Sequence, residues 1–235
     1  MHHLIRHCLL CLLFIGSFLP AAAQSPERYK DIDAFIKSDQ LRVTAPGDIR
    51  TFGRELKHLY TDDELKARAA FFWITQHIRY DCEGYRSGNG IASVEEVLAK
   101  QRGVCSGYAR LFKLFCDELD VECVIIKGFA TGIGIRTVHP DSLATNHSWN
   151  AVKIKGQWKL VDPTWGSGSA NEDCTQTFQN LGEFYFLANP AELIRTHFPD
   201  SVKWQLLKVP FTATQFSDSI RHWKNADERE PPGIR

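Results

Sequence analysis

No stretch of this 235-residue chain concentrates positive charge: 28 Lys and Arg balance 28 Asp and Glu. No Arg-rich run interleaves with aromatics either, which excludes the usual electrostatic footprint of a nucleic-acid binder. No glycine-rich phosphate loop follows a strand-like run, so nucleotide binding has no support. The Cys8-Leu9-Leu10-Cys11 pair has zinc-ligand spacing but lies in a segment expected to be removed, no close pair supports zinc at Cys105, His147 and Asp162, and neither a metal nor another cofactor is expected. No internal repeat is present. The apolar run at residues 8–19 is too short to cross a bilayer.

That run instead reads as part of a leader. Arg6 precedes it and Ala21-Ala22-Ala23 follows it, the pattern of a secretory signal peptide over residues 1–23, with Gln24 as the expected mature N-terminus. The expected address is therefore secreted or periplasmic, with no stable membrane anchor after cleavage. Removing the leader takes away Arg6, Cys8 and Cys11. It leaves 27 basic residues against 28 acidic ones, and five cysteines: Cys82, Cys105, Cys116, Cys123 and Cys174. An odd number in an exported chain keeps at least one thiol out of internal pairs. Cys105 is the expected free thiol. The other four can form up to two disulfides or stay as buried thiols.

The mature chain is expected to form one α+β domain over residues 24–224, with a core at about 61–166 and a disordered polar tail at 225–235. Pro46-Gly47-Asp48 marks a turn between two helices. Thr61-Asp62-Asp63-Glu64 reads as a capping box with Thr61 as N-cap, opening a helix to about Ile78 that is apolar on more than one face. Residues 80–90 read as loop. Ser93-Val94-Glu95-Glu96 is a second capping box for a short helix to about Lys100. A longer helix starts at Val104 or Cys105, and Tyr108, Leu111, Phe112, Phe115 and Leu119 give it an inward face. Residues 121–130, 147–154, 157–161 and 184–187 read as strands, with a loop at 132–144. Asn189-Pro190 caps a short helix to about Thr196.

Chemistry concentrates in three segments: Gly103-Val104-Cys105-Ser106-Gly107-Tyr108-Ala109, Asn146-His147-Ser148-Trp149-Asn150, and Leu160-Val161-Asp162-Pro163-Thr164-Trp165-Gly166. A helix start lowers a thiol pKa, an imidazole holds the thiolate, and a carboxylate orients the imidazole. Alone, Cys105 reads as a buried thiol, His147 as a strand-end histidine and Asp162 as a turn residue. Counting brings them together. A two-residue turn at Lys155-Gly156 makes paired residue numbers sum to 311, so Trp149 faces Asp162. His147 shares the face of Trp149 and becomes a diagonal neighbour of Asp162, with Cα atoms on the order of 7–8 Å apart. The Cys105 N–H is a natural oxyanion donor, with Tyr80 and then Gln101 as candidates for a second. Trp149 and Trp165 are expected as substrate-binding walls. The sequon match at Asn146-His147-Ser148 would crowd the base and is read as chance.

These segments resemble the transglutaminase-like superfamily, a branch of the papain-like cysteine enzymes, whose signature is G-x-C-x-G-x-A, H-x-W-N and V-D-P-T-W. The resemblance covers about residues 67–166. Beyond it, Glu183-Phe184-Tyr185-Phe186-Leu187 through Thr196-His197-Phe198-Pro199, with Trp204-Gln205-Leu206-Leu207, is similar to the kyphoscoliosis-peptidase branch. The resemblance implies Cys105 as nucleophile, His147 as general base and acid, and Asp162 as orienter. It also implies a core helix carrying the cysteine on an antiparallel sheet carrying His and Asp. The expected activity is an exported hydrolase or acyltransferase on peptide or isopeptide amides, its partner a protein or peptide substrate. The alternative is a catalytically silent interaction scaffold, since the superfamily contains both. The calcium sites of animal transglutaminases have no matching acidic cluster, because Asp62-Asp63-Glu64 opens a helix.

Overall fold

The computed structural model describes residues 26–38, 42–131 and 143–226. The leader expected at 1–23, residues 132–142 of the expected loop and residues 227–235 of the expected tail lie outside that range. The first layer is helical: α1 (Lys30–Lys37), α2 (Pro46–Leu59), α3 (Asp63–His77), α4 (Cys82–Ser87), α5 (Val94–Lys100) and α6 (Cys105–Glu118). Two short strands, β1 (Arg79–Tyr80) and β2 (Arg102–Gly103), pair in parallel among them. The second layer is an antiparallel sheet in the order β5-β4-β3-β8, formed by β3 (Cys123–Ala130), β4 (His147–Ile154), β5 (Gln157–Val161) and β8 (His197–Pro199). A separate hairpin pairs β6 (Gly168–Ala170) with β7 (Thr177–Gln179). The chain closes through α7 (Pro190–Leu193) and α8 (Ala213–Ala226). Among the described residues no helix is long and apolar enough to cross a membrane.

The core lies between α3, α6 and the sheet. Phe71, Phe72, Trp73 and Ile74 of α3 meet Leu111, Phe112 and Phe115 of α6, all buried. Arg68 is the polar exception on α3. Its guanidinium forks onto Asp33 of α1 (2.9 and 2.6 Å) and onto Glu183 (2.6 and 2.8 Å), so the buried charge is paired on both sides.

Several local expectations need correction. Pro46-Gly47-Asp48 does not separate helices but forms the first turn of α2. Proline suits that position because its missing N–H would have no helical partner, and the Asp48 carboxylate accepts from the Thr44 and Ala45 N–H groups at 2.8 and 3.0 Å. The cap of α3 is Asp62, which accepts the Glu64 N–H at 2.8 Å, and not Thr61. Glu64 is instead drawn to the Tyr29 hydroxyl (2.7 Å) and Arg28 (2.7 Å). Within 80–90 the chain forms α4, capped by Asp81 and stopped by left-handed Gly88. Residues 184–187 do not form a strand. Glu183–Tyr185 is a 3-10 turn, and only Ala188 bridges to Leu160 of β5. The helix α8 takes the first two residues of the expected tail.

Candidate active site

The position of Cys105 follows from its glycines. A Cβ on Gly107 would stand 2.8 Å from the Ile91 carbonyl oxygen and from a Val97 methyl, and one on Gly103 would stand 2.9 Å from Val97. The bare backbone therefore lets the start of α6 close onto the segment leading into α5. Val104, extended at φ −88° and ψ 172°, turns the chain into the helix and donates to the Ile91 carbonyl at 2.9 Å. Cys105 is the first helical residue and half-buried, with α6 held to the sheet by Asn150. The Asn150 amide donates to the Ala109 carbonyl of α6 (3.1 Å) and the Val124 carbonyl of β3 (3.3 Å).

The other two groups ride on the β4–β5 hairpin. Lys155 and Gly156 have φ of 50° and 78°, the left-handed pair of a two-residue turn. Ile154 pairs with Gln157 and Asn150 with Val161, the register that counting expects. His147 Nε2 donates to Asp162 Oδ2 at 2.7 Å, leaving Nδ1 for the thiol. The His147 imidazole and the Ser148 N–H lie close enough to the Cys105 sulfur to favour its charged form.

The charges are arranged to hold an ion pair. Burial opposes charge on Cys105, but the bond and charge of His147 and the Ser148 N–H outweigh it, and the thiol lies below its ordinary value. Burial likewise opposes charge on His147. The Asp162 carboxylate and Cys105 overcome that, and its pKa rises to about 10. Asp162 is fully buried, yet its hydrogen bonds from His147 and His197 hold it far below the usual carboxylate range.

Cys105, His147 and Asp162 thus converge. Tyr80 lies on β1, paired with Gly103, and faces the same space; burial first, and then the Cys105 charge, push its phenol up. Gln101 does not join them. It is an exposed left-handed residue ending α5, and its carbonyl accepts from Arg79 N–H at 2.9 Å. Trp165 stands beside His147, with ring centroids 5.8 Å apart, and lines the cleft. Trp149 is not a wall. It is 1 % exposed and stacks on His147, centroids 5.8 Å apart at 22°, as the floor beneath the imidazole. Gly128 of β3 leaves room for that ring, since a Cβ there would lie 2.7 Å from it.

His197 has no role in the three chemistry-bearing segments of the sequence. Its Nε2 lies 3.0 Å from Asp162 Oδ2, the same oxygen that takes His147. The one signal for it was the Thr196-His197-Phe198-Pro199 segment. His147, Asp162 and His197 are also the one group among the described residues able to hold a metal, their donor atoms within 4.8 Å of one another. The two N–H···O bonds already account for that convergence.

Beside His147 opens a cleft of about 410 Å³, walled by Tyr80, Trp165, Leu181 and Phe184. Tyr85, 61 % exposed, and Phe178, 55 % exposed, stand at its rim. A second cavity of about 340 Å³ lies against Ser106 and Ser148, with Arg110, Lys127 and Trp204 around it. The disulfide Cys82–Cys174 ties α4 to the hairpin that carries Phe178, while Cys105, Cys116 and Cys123 are free.

A helix-tip thiol, an imidazole and a buried carboxylate are thus brought together on an antiparallel sheet backed by helices. Residues 50–163 match the model of the transglutaminase-like superfamily, and the chain carries a domain of that superfamily. Its relatives support the kyphoscoliosis-peptidase branch. The chain is 37 % identical over 195 residues to kyphoscoliosis peptidase of Mus musculus, covering 82 % of this chain and 30 % of that protein. It is 30 % identical over 226 residues to hillarin of Drosophila melanogaster, covering 85 % and 26 %. A solved structure, the periplasmic domain of TgpA from Pseudomonas aeruginosa, is similar with a TM-score of 0.40 and 16 % identity, covering 61 % of this chain and 49 % of that one. The chain spans about three tenths of the length of the curated relatives named here.

Proposed function

We propose that this chain is an exported cysteine amidase or acyltransferase acting on peptide or isopeptide amides through Cys105, His147 and Asp162. The observation that carries the proposal is the 2.7 Å His147–Asp162 bond beside a thiol already drawn toward thiolate. Cys105 attacks the carbonyl, and its own N–H, with Tyr80 nearby, receives the developing oxyanion. His147 then protonates the leaving amine as the tetrahedral centre collapses to a thioester. Water or a second amine, activated by the now neutral imidazole, releases the acyl group. The aromatic cleft beside His147 suits an extended peptide with a bulky apolar side chain near the scissile bond. A scaffold has no need of this polarised pair, which favours the enzyme.

Export is supported by the leader pattern together with the Cys82–Cys174 pairing, since disulfides persist in oxidising compartments. Mass spectrometry of mixed peptides, incubated with and without a primary amine, tests the chemistry. Cleavage, deamidation or amine incorporation that disappears in Cys105→Ala supports the proposal. Identical spectra for the wild type and Cys105→Ala refute it.

A further inference from the structure

His197 belongs to β8, the edge strand beyond β3, and backbone pairing of His197 with Ala130 brings it over the site. Its ring is 2 % exposed and edge-on to Trp149 (5.1 Å) and Trp165 (4.5 Å), leaving little room to turn. The Asp162 carboxylate has four donors around it. Oδ1 accepts the Thr164 and Trp165 N–H groups at 2.8 and 3.1 Å, while Oδ2 accepts His147 at 2.7 Å and His197 at 3.0 Å. Backbone donors alone hold Oδ1, so the direction of Oδ2 depends on the two imidazoles.

We infer that His197 is a fixed, neutral positioning residue that clamps Asp162 so that the carboxylate keeps His147 aligned on Cys105. This rests on the proposed acyl chemistry at Cys105. A neutral ring facing an anionic oxygen must present Nε2–H, so Nδ1 is an acceptor. The Thr196 hydroxyl lies 2.8 Å from Nδ1 and 3.3 Å from the Leu193 carbonyl, and with the ring in the Nε2–H tautomer its one proton turns to Nδ1, the shorter contact. Burial first, and then the nearby His147 charge, keep His197 below the ordinary imidazole range even though Asp162 pulls the other way. With two N–H groups on Oδ2, the carboxylate is a poor competitor for the His147 proton, and that proton stays on the imidazole. The titratable groups facing this cluster are Asp162 and His147 from the hairpin, Tyr185 from the 3-10 turn, Cys105 and Tyr108 from α6, and Tyr80 from β1.

Two substitutions separate clamping from packing. His197→Phe keeps a ring and removes the donor. His197→Gln places an amide N–H at the reach of Nε2. The readout is the pH midpoint of Cys105 alkylation by iodoacetamide, measured with amide turnover. His197→Phe should raise the midpoint by about one unit and slow turnover by about 10-fold or more, and His197→Gln should restore both most of the way. An unchanged midpoint in His197→Phe overturns the inference, as does equal loss in both variants at an unchanged midpoint. In Cys105→Ala protein, which has no thiolate, ¹⁵N NMR of His197 reads the clamp independently of any activity. A neutral Nε2–H ring near pH 7 supports the inference, and a doubly protonated or Nδ1–H ring overturns it. Failure of the acyl reading shows differently, as turnover that never depended on Cys105.

Discussion

His147 and Asp162 stand at the open end of a hairpin built from strands of eight and five residues, with Trp149, Ala151, Val152, Leu160 and Val161 buried along it. Across the cleft, Tyr85 stands on α4, six residues long, and Phe178 on β7, whose three residues are all exposed. The first wall is held by a continuous ladder and core. The second is held at points: the Cys82–Cys174 disulfide, the Arg86 guanidinium on the Cys174 carbonyl, and the Gln179 amide on the Thr75 carbonyl at 2.7 Å. Under the proposed acyl chemistry, the difference follows from what each wall must do. Groups that exchange a proton must stay within tenths of an ångström, which takes cooperative packing. A wall that only covers a ligand can be a short hairpin tied down at a few points.

Breaking the first wall should have the largest effect. Asp162→Asn keeps the shape of the side chain but removes the charge that favours the imidazolium, and turnover should fall by on the order of 10³–10⁴-fold. The pH profile should change with it. His147 is raised from 6.5 to about 10. Its charge therefore adds stability that is complete below about pH 6.5 and lost as pH rises through about 10. Wild-type turnover should lose its alkaline limb near pH 10, where the general acid disappears. In Asp162→Asn that limb should move down toward the ordinary imidazole value. A profile left in place would show that another group supplies the proton.

The same wall was the one legible in the sequence. Alternation and a two-residue turn determine every partner in a hairpin, so the pairing of residues around 311 could be counted without coordinates. The period of α6 and its glycine-flanked start were equally plain. The second wall carries no such signal. Strands of three residues, half-buried throughout in β6 and exposed throughout in β7, show no alternation, and α4 hides behind Gly84 and Gly88, which read as loop. The disulfide joins residues 92 apart, and four candidate cysteines allow three full pairings. His197 was out of reach for a related reason. It meets Asp162 through pairing of β8 with β3, and no local spacing encodes that contact. Trp149 lies on the face that counting gives it, but alternation does not tell a wall from a floor.

Loosening the second wall should separate binding from chemistry. Cys82→Ser with Cys174→Ser should cost about 2–4 kcal/mol of stability, read by urea denaturation with the disulfide-intact protein as reference. The hairpin bearing Phe178 would then be free to shift, and KM for peptide should rise by about 5- to 10-fold while kcat stays within about 2-fold. Cys105 alkylation should keep its midpoint, because nothing that polarises the thiol lies on that hairpin. A fall in kcat with an unchanged KM would place the disulfide in support of the first wall instead.

The smallest effect is expected at Gln101, which lies between the walls in sequence and belongs to neither in space. An oxyanion donor there would need its amide to reach the carbonyl attacked by Cys105. The residue instead sits exposed at the end of α5 with φ 50° and ψ 36°, a conformation that L side chains adopt at a cost and glycine adopts freely. Its backbone contribution, the carbonyl bonded to Arg79 N–H, survives any side-chain change. Gln101→Gly should therefore leave kcat and KM unchanged and raise stability by roughly 0.5–1 kcal/mol, seen as a higher Tm. Tyr80→Phe is the contrasting variant: it removes a hydroxyl of the cleft wall beside His147 and should slow turnover by about 10-fold without changing the alkylation midpoint by more than a fraction of a unit. If the glycine variant were the slow one, the second oxyanion donor would come from the α5 end of the cleft, and the start of α6 would have to open toward it during the reaction.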